Sequence, residues 1–368
     1  MRFYAAGGCM EHGRNCFLLE GSGYSVLVDC GIAVGKEHGY PLLSREQVSN
    51  IRFCFLTHSH RDHTGALDWL YGMGFQGQVV MSEETARQIH ALRSGMRIIP
   101  LKKSGELSVT PDLTVIWGRS GHCMGSIWYK LDFQGKSIFF SGDYCENSRV
   151  YECDTVSSME TDMAVIDCAY GEKEGSLEQY FEKLEDFFRK SSKKGKTVML
   201  PAPSAGRAVE LLRMAVSYSP PESVYIDKEL RLHMEALRNQ QEWITDGKFL
   251  ETACSSLYLE KWHGGPGFLI VSDPQLKKPE SLELVKRIEE NDGSVILTGH
   301  TYEKTSARKM LEEKTAQMLL CPVHMNEKAV HQLCSRNNFK KIVLNHCPEP
   351  IHTVLGARNV KAGDEIIF

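Results

Sequence analysis

Four side chains of types that bind metal ions lie within six positions of one short segment, THSHRDHTG (57–65). The apolar run 51–56 before it predicts a strand, so His58 and His60 should project to the same side just beyond its end. Asp62 and His63 follow in a predicted turn, where Gly65 permits a tight bend. Imidazole and carboxylate groups are suitable ligands for Zn²⁺. Four ligands in so short a span favour a pair of ions over a single one.

Further side chains of the same types follow other predicted strands. His122 comes after the strand predicted over 113–117, Asp143 after 136–140, and His346 after 342–344. Loops at strand ends carry functional groups because the sheet beneath them holds them rigidly. These positions therefore predict one metal centre at the edge of a sheet.

The composition of the chain narrows the classes of protein that it can represent. Its 368 residues predict two domains, or one large domain with an insertion, and 42% hydrophobic with 24% charged residues exclude a disordered chain. No apolar run reaches the ~18 residues of a membrane helix, and we expect no signal peptide. A net charge of −4 excludes a basic footprint over the whole protein. The 12 cysteines, without C-x-x-C spacing, indicate a reducing compartment, hence a cytoplasmic location.

The pattern of predicted elements indicates an α/β protein with two kinds of organisation. In the first half, strands are predicted over 24–30, 51–56, 78–81, 113–117 and 163–167, with a hairpin over 126–133 and 136–140 around Gln134-Gly135. Ser176 begins an amphipathic helix, with Gln179 completing a capping box. Strands and helices then alternate, which is typical of a parallel sheet. We interpret the basic run 189–196 as a solvated helix end rather than a phosphate site.

Several of these motifs resemble those of a known family. THSHRDHTGAL, GHCMGS and SGDY resemble the metallo-β-lactamase superfamily. Asp167 in DMAVIDCAYG, His324 in CPVHMN and His346 in VLNHCP resemble motifs A, B and C of its β-CASP branch, whose members process nucleic acids. The opening stretch 7–20 looks like the first hairpin of the family, and stretches 201–212 and 295–311 look like its inserted domain. The resemblance spans nearly the whole chain.

The resemblance implies an αββα metallo-β-lactamase core with an inserted α/β domain. The first part of the core would cover residues 1–171, the inserted β-CASP domain 172–316, and the second part of the core 317–368. Both parts of the core would supply ligands.

The resemblance also implies the assignment of the metal ligands. His58, His60 and His122 would hold one Zn²⁺, and the second Zn²⁺ would be held by Asp62, His63 and His346. Asp143 would bridge the two ions, and Asp29 would orient ligands from behind them. Mn²⁺ is the alternative metal, because affinity alone does not fix the metal used in cells.

By the same resemblance, we expect a zinc-dependent ribonuclease that cuts single-stranded RNA internally, from the 5′ end, or in both ways. The two ions would share a hydroxide, with Asp62 in the catalytic centre. His324 would give a proton to the leaving oxygen while Asp167 orients its ring. His346 favours RNA, because DNA-processing members usually carry valine there.

The sequence departs from the family pattern mainly where the substrate would bind. Motif A usually begins with glutamate, whereas this chain has Asp167; motif B here has Val323 before its histidine and Asn326 two residues after. A Gly-Thr pair of the family is Lys304-Thr305 in this chain. We expect contacts with the strand backbone from Ser204, Gly206, Arg207 and Arg308, with helix starts and surface charge as the alternative interpretation.

Three other functions stay open at this point. One is a DNA nuclease of the same family, and the second is a small-molecule ester or thioester hydrolase of the wider superfamily. The third is a non-catalytic RNA-binding subunit, which would be expected to lose metal ligands. Single-stranded RNA is the expected partner and no membrane is expected; the sequence does not indicate a protein partner or a homodimer.

Overall fold

The structure is a computed structural model that describes residues 1–33, 39–89, 95–351, 354 and 356–368. The described chain divides into two compact units. Unit one contains Met1–Glu146, Cys153–Glu174 and His324–Phe368, and unit two contains Asn147–Glu152 and Gly175–Val323. Unit two is therefore inserted, in chain order, within unit one. The domain boundaries at 171/172 and 316/317 stay a prediction.

The described residues of the first part of unit one form twelve strands and four helices. The strands are β1 (Arg2–Gly7), β2 (Cys16–Glu20), β3 (Ser25–Val28), β4 (Ile51–Phe55), β5 (Gln78–Ser82), β6 (Arg97–Leu101), β7 (Gly105–Thr110), β8 (Leu113–Arg119), β9 (Ile127–Phe133), β10 (Lys136–Phe140), β11 (Glu160–Thr161) and β12 (Met163–Asp167). The helices are α1 (Arg45–Ser49), α2 (Arg61–Thr64), α3 (Leu67–Gly72) and α4 (Glu83–Gln88).

Unit two alternates helices and strands, as the sequence predicts. Its helices are α5 (Leu177–Lys193), α6 (Arg207–Tyr218), α7 (Lys228–Arg238), α8 (Lys248–Cys254), α9 (Pro279–Glu290) and α10 (Ser306–Glu312). Its strands are β13 (Thr197–Pro201), β14 (Val224–Ile226), β15 (Leu257–Tyr258), β16 (Gly267–Val271), β17 (Ser294–Leu297) and β18 (Ala316–Met318). They form one parallel sheet in the order β15-β14-β16-β13-β17-β18.

The chain then completes unit one with α11 (Glu327–Ser335), β19 (Asn338–Phe339), β20 (Ile342–Asn345), β21 (Ala357–Arg358) and β22 (Glu365–Ile367). Unit one has two seven-stranded sheets. The first has the order β22-β1-β2-β3-β4-β5-β6, and the second β21-β20-β12-β10-β9-β8-β7. Strands from before and after unit two in the sequence are thus needed to complete each sheet.

The two sheets of unit one pack face to face, with helices on their outer sides. Aromatic rings meet between the sheets, where Phe17 lies 6.1 Å from Phe140 and Phe55 lies 5.4 Å from Tyr129 between ring centroids. On the outer faces, apolar residues of α1 and α3 pack with the first sheet, and those of α11 with the second. This arrangement confirms the predicted layered α/β class, because each sheet buries apolar residues on both faces.

Local sequence signals account for two of the predicted elements. The hairpin between β9 and β10 turns at Gln134 and Gly135, which have φ angles of 47° and 76° and so suit the twist of an antiparallel pair. Ser176 caps α5, and Gln179 completes the capping box by accepting from the backbone N–H of Ser176. No helix among the described residues is long and apolar enough to span a membrane.

Candidate metal centre

The ligand-type residues of unit one come together at the ends of its strands. His58 and His60 follow β4, His122 follows β8, Asp143 follows β10 and His346 follows β20. Asp62 and His63 were expected in a turn, but they lie in the single helical turn α2, which begins after His60. Four separate segments of unit one therefore meet in one place, although His346 and Asp62 are 284 residues apart.

One group consists of His58, His60, His122 and Asp143, whose ligand atoms all lie within 4.8 Å of one another. Asp143 Oδ2 lies 3.3 Å from His58 Nε2 and 3.4 Å from His122 Nε2. His60 Nδ1 lies 3.2 Å from His122 Nε2. The three histidines of this group are those expected at the first ion, and Asp143 is the carboxylate expected to bridge the two ions.

A second group consists of Asp62, His63 and His346. His346 Nε2 lies 2.9 Å from Asp62 Oδ2, and His63 Nε2 lies 4.0 Å from the same oxygen. The other oxygen of Asp143, Oδ1, lies 3.2 Å from His63 Nε2. Asp143 therefore presents one carboxylate oxygen to each group, which is the geometry that a bridging ligand requires.

The donor atoms of these groups fit divalent cations. His58 Nε2 and both carboxylate oxygens of Asp143 are buried without a hydrogen-bond partner, an arrangement that costs about 1–3 kcal/mol per atom when nothing else satisfies it. The separations of 3.2–3.4 Å between ligand atoms agree with the edge of about 3.3 Å that tetrahedral Zn²⁺ with ~2.0–2.1 Å bonds would need. The cluster supports binding of a divalent metal.

The electrostatics of the site agree with this chemistry. Burial lowers the pKa of His58 to about 3, so its ring is neutral and offers a lone pair. Burial opposes a charged His346, but Asp143 and Asp62 outweigh it and raise the pKa of His346 to about 9. Burial also opposes charge on Asp62, yet His346 and His63 hold the pKa of that carboxyl well below its usual range. Metal binding would therefore release a proton from His346.

Asp29 makes the contacts of a carboxylate that orients a ligand. It follows β3 and is buried, and its Oδ2 accepts from His63 Nδ1 at 2.7 Å. Its Oδ1 accepts from the backbone N–H of Thr57 at 2.8 Å. This hydrogen bond on Nδ1 fixes the ring of His63 so that its Nε2 faces Asp143 Oδ1 at 3.2 Å.

Asp167 and His324 form a pair beside both groups. His324 Nδ1 lies 3.2 Å from Asp167 Oδ2 and 3.7 Å from Asp143 Oδ2. The ring of His324 lies 4.7 Å from that of His122 and 5.2 Å from that of His346, between centroids. Asp167 reaches His324 although it is one methylene shorter than the glutamate of the family pattern.

The sequence analysis missed several residues that contact the ligand side chains or link their loops. Thr57 Oγ1 lies 3.1 Å from His58 Nδ1, and the buried Asn15 places its side-chain nitrogen 2.9 Å from His63 Nε2. Gln88 accepts from Ser59 Oγ at 2.9 Å and donates to the backbone oxygen of Met124 at 2.9 Å, which ties the His58–His60 loop to the loop of His122. The only signal was position: Thr57 precedes the first histidine, and Asn15 precedes the apolar run of β2.

The four residues expected to contact substrate lie in unit two. Gly206, with a φ of 82°, precedes α6, and Arg207 is the first residue of that helix. The guanidinium of Arg207 lies so close to Gly299 that a Cβ there would come within 1.8 Å of it. Ser204 Oγ donates to Glu229 at 2.9 Å, and Arg308 forms ion pairs with Glu303 and Glu312. Their role in substrate binding stays a prediction.

The basic run 189–196 is the end of α5 and the turn after it. Lys190 and Lys193 lie in the last turn of the helix, where the helix dipole stabilises positive charge. Arg189 and Lys190 pair with Asp186, and Lys196 pairs with Asp292 at 3.2 Å. These contacts agree with the interpretation as a solvated helix end.

Comparisons with known proteins agree with this site. Residues 10–144 match the metallo-beta-lactamase superfamily. The chain is 26% identical over 261 residues to the transcription termination factor FttA of a Lokiarchaeum species, covering 62% of this chain and 41% of that protein. It is 24% identical over 375 residues to the endoribonuclease YSH1 of Candida albicans, covering 85% of this chain and 43% of that protein.

Two further similarities extend over nearly the whole chain. The "Probable RNase MJ4" of Methanocaldococcus jannaschii is 21% identical over 412 residues, which cover 96% of this chain and 95% of that one. A crystal structure of a protein of unknown function from Enterococcus faecalis has a TM-score of 0.62 at 12% identity, covering 100% and 99% of the two chains. That second similarity concerns the fold alone.

Residues 10–144 thus match the metallo-β-lactamase superfamily, and the motifs of the chain resemble those of its β-CASP branch. The expectation of a metal-dependent hydrolase agrees with the endoribonuclease and the probable RNase among these relatives. The chain spans 41% and 43% of the lengths of FttA and YSH1.

Proposed function

We propose that this protein is a metal-dependent ribonuclease that hydrolyses phosphodiester bonds of single-stranded RNA. The observation that carries the proposal is the Asp167–His324 pair beside two groups of metal-ligand side chains. Hydrolysis of a phosphodiester at a metal centre needs a nucleophile and neutralisation of the phosphoryl charge. It also needs a proton donor for the oxygen that leaves with the RNA strand. The names of two relatives, an endoribonuclease and a probable RNase, support RNA as the substrate.

The proposed centre holds two Zn²⁺ ions, with Mn²⁺ as the alternative. His58, His60 and His122 would hold one ion, whereas Asp62, His63 and His346 would hold the other. Asp143 would contact both. Such a pair, when bound, supplies activated water near neutral pH and neutralises charge on the phosphoryl oxygens.

His324 has the role of general acid in this proposal. The bond between phosphorus and the leaving 3′ oxygen breaks, and that oxygen takes a proton from the imidazole. Asp167 Oδ2, 3.2 Å from Nδ1, orients the ring. Asp167 is itself held by the backbone N–H groups of Tyr144 at 3.2 Å and Ala169 at 2.9 Å. This support keeps the pair aligned.

The substrate would reach the centre as a single strand, with its backbone contacting Ser204, Gly206, Arg207 and Arg308 of unit two. Arg207 is the strongest of these candidates, since Arg308 already pairs with two acids.

A cytoplasmic location belongs to the same proposal. All twelve cysteines lie in the described part of the chain, and each is a free thiol, as a reducing compartment favours.

The alternatives differ in what they would leave unexplained. A DNA nuclease of the same family would not account for His346 in motif C, and an ester or thioester hydrolase would not need the Asp167–His324 pair. A non-catalytic RNA-binding subunit would not need complete ligand groups.

The test is cleavage of a labelled single-stranded RNA beside a DNA of the same sequence and an RNA duplex. The proteins are wild type, His324→Ala and the matched control His331→Ala, a histidine of α11 whose side chain is 42% exposed. A chelated wild-type sample completes the set. We expect single-stranded RNA alone to be cut by wild type and by the control. His324→Ala should lose about 10²–10⁴-fold in turnover and keep its metal.

Three results would contradict the proposal. Equal cleavage of DNA would favour the DNA nuclease, and equal cleavage of the duplex would remove the single-strand requirement. If His324→Ala loses its metal, His324 is a ligand or a structural residue rather than a proton donor. The product ladder also separates internal cutting from trimming at the 5′ end.

A further inference from the structure

Asn15 is a buried polar residue at the centre of unit one, and the proposed function gives it no role. It lies just before β2 and has no solvent exposure. Its backbone N–H donates to the backbone oxygen of Asp62 at 2.8 Å, and its backbone oxygen accepts from Gly31 at 2.9 Å. Its side-chain nitrogen Nδ2 lies 2.9 Å from His63 Nε2. The opening hairpin therefore contacts a ligand atom of the second group directly.

The surroundings of the Asn15 amide decide which of its ends faces His63. Its Oδ1 accepts from Asn345 Nδ2 at 3.0 Å, and its Nδ2 also lies 3.4 Å from the backbone oxygen of Asp62. The oxygen end thus meets a donor and the nitrogen end meets an acceptor. This assignment leaves an N–H group directed at Nε2 of His63.

His63 in turn presents a lone pair at Nε2. Its Nδ1 lies 2.7 Å from Asp29 Oδ2, and an ionised carboxylate can only accept, so Nδ1 carries a proton. A metal ion binds only this neutral form of the ring, in which Nε2 is unprotonated. The Asn15 N–H is matched to the same form, because it needs an acceptor at Nε2.

The same nitrogen faces the other atoms that would surround the second ion. His63 Nε2 lies 3.2 Å from Asp143 Oδ1 and 4.0 Å from Asp62 Oδ2. A single lone pair cannot serve both an N–H donor and a metal ion at full strength. In the first group, by contrast, His58 Nε2 has no hydrogen-bond partner among the described residues.

We infer that Asn15 weakens metal binding at the Asp62–His63–His346 group by competing for the Nε2 lone pair of His63. The two ions would then bind in order, with the His58–His60–His122 group filled first. The second ion would be the exchangeable one. The inference rests on the two-ion centre of the proposed function and adds an affinity difference between its halves.

The test measures stepwise metal binding and needs no substrate. Metal-free protein is titrated with Zn²⁺ against a competing chromophoric chelator, so that two binding constants are resolved. The variants are Asn15→Ala and Asn15→Leu, of which the leucine keeps the volume of the side chain. Asn337→Ala is the control, since Asn337 Nδ2 donates to the backbone oxygen of Val156 at 3.1 Å in the same unit. Melting temperatures of the metal-free proteins report folding.

Losing the competing hydrogen bond should tighten the weaker constant about threefold to tenfold and leave the stronger one unchanged. The absorption of a Co²⁺ titration should show the same change at the second equivalent only. The control should match wild type in both constants.

Each other outcome overturns the inference. If either Asn15 variant that melts like wild type keeps the weaker constant unchanged, Asn15 does not compete with the ion. A weaker second constant would mean that Asn15 holds His63 in place instead. If wild type binds a single ion, the two-ion centre of the proposed function fails, and the inference fails with it. If every protein binds two ions with equal constants, the inference fails while the two-ion centre of the proposed function stands.

Discussion

Replacing Asp29 by asparagine tests how the second ligand group is held. Asp29 has a φ of 60°, a left-handed conformation that asparagine adopts more readily than most residues. Asp29→Asn therefore changes the charge and one acceptor atom without straining the backbone. The carboxylate accepts from three donors, which are His63 Nδ1 at 2.7 Å, the backbone N–H of Thr57 at 2.8 Å and Thr57 Oγ1 at 2.9 Å. An amide offers one oxygen, so one of these donors loses its partner.

The magnitude follows from the kind of bond that is lost. A buried hydrogen bond to a charged group contributes about 1.5–3 kcal/mol, which corresponds to a factor of roughly 10–100 in a binding constant. Loss of a carboxylate that supports a ligating histidine has effects of about the same size. Because Asp29 contacts His63 and not His60 or His122, we expect the weaker zinc constant to fall by this factor. The stronger constant should change much less.

The assay is the competitive zinc titration, run on wild type and Asp29→Asn with melting curves of the metal-free proteins beside it. A useful matched variant is Asp112→Asn, since Asp112 also accepts several hydrogen bonds in unit one but lies among Tyr24, Thr110 and Gln134. An equal loss in both zinc constants, or no loss in either, would refute the assignment of Asp29 to His63.

Three further predictions concern other contacts. Gln88→Leu removes the bridge between Ser59 and the Met124 carbonyl, and we expect the stronger zinc constant to weaken about tenfold in the same titration; loss confined to the weaker constant would contradict this. Burial raises the pKa of Glu210 to about 7 from 4.5. The folded state thus retains a proton that the unfolded state releases, and stability should fall by about 3 kcal/mol as pH rises from 4.5 to 7. Urea unfolding across this range should show the slope in wild type and not in Glu210→Gln. Finally, free Zn²⁺ at ~100 times its dissociation constant should stabilise metal-free protein by about 2.7 kcal/mol; an unchanged melting temperature would argue against ion binding to the folded state.

Local sequence signals predicted many of the strands of both units and the capped start of α5. The apolar run 163–167 predicted a strand, and the structure has β12 at the same residues. The hairpin at Gln134-Gly135 and the capping box at Ser176 were equally readable, because turns and caps depend on neighbouring residues. Small edge strands such as β19 and β21 were missed, since a two-residue strand has no periodicity.

The residue types of the candidate site could also be predicted from sequence. His58, His60, Asp62 and His63 lie within six positions, so their spacing alone indicated a metal centre. Their assignment to ions still depends on the resemblance to a family, and it stays a proposal. The same holds for the domain boundaries and for the substrate contacts of unit two.

Only the tertiary structure decided which atoms meet. It brought His346 to within 2.9 Å of Asp62 across 284 positions of sequence, and it turned the two oxygens of Asp143 toward different groups. It also placed the Asn15 amide against His63, although nothing in the local pattern distinguishes Asn15 from a turn residue. The physical reason is that ligand type and backbone propensity are properties of short segments. Burial, lone-pair direction and competition for a ring nitrogen arise only when distant segments pack together.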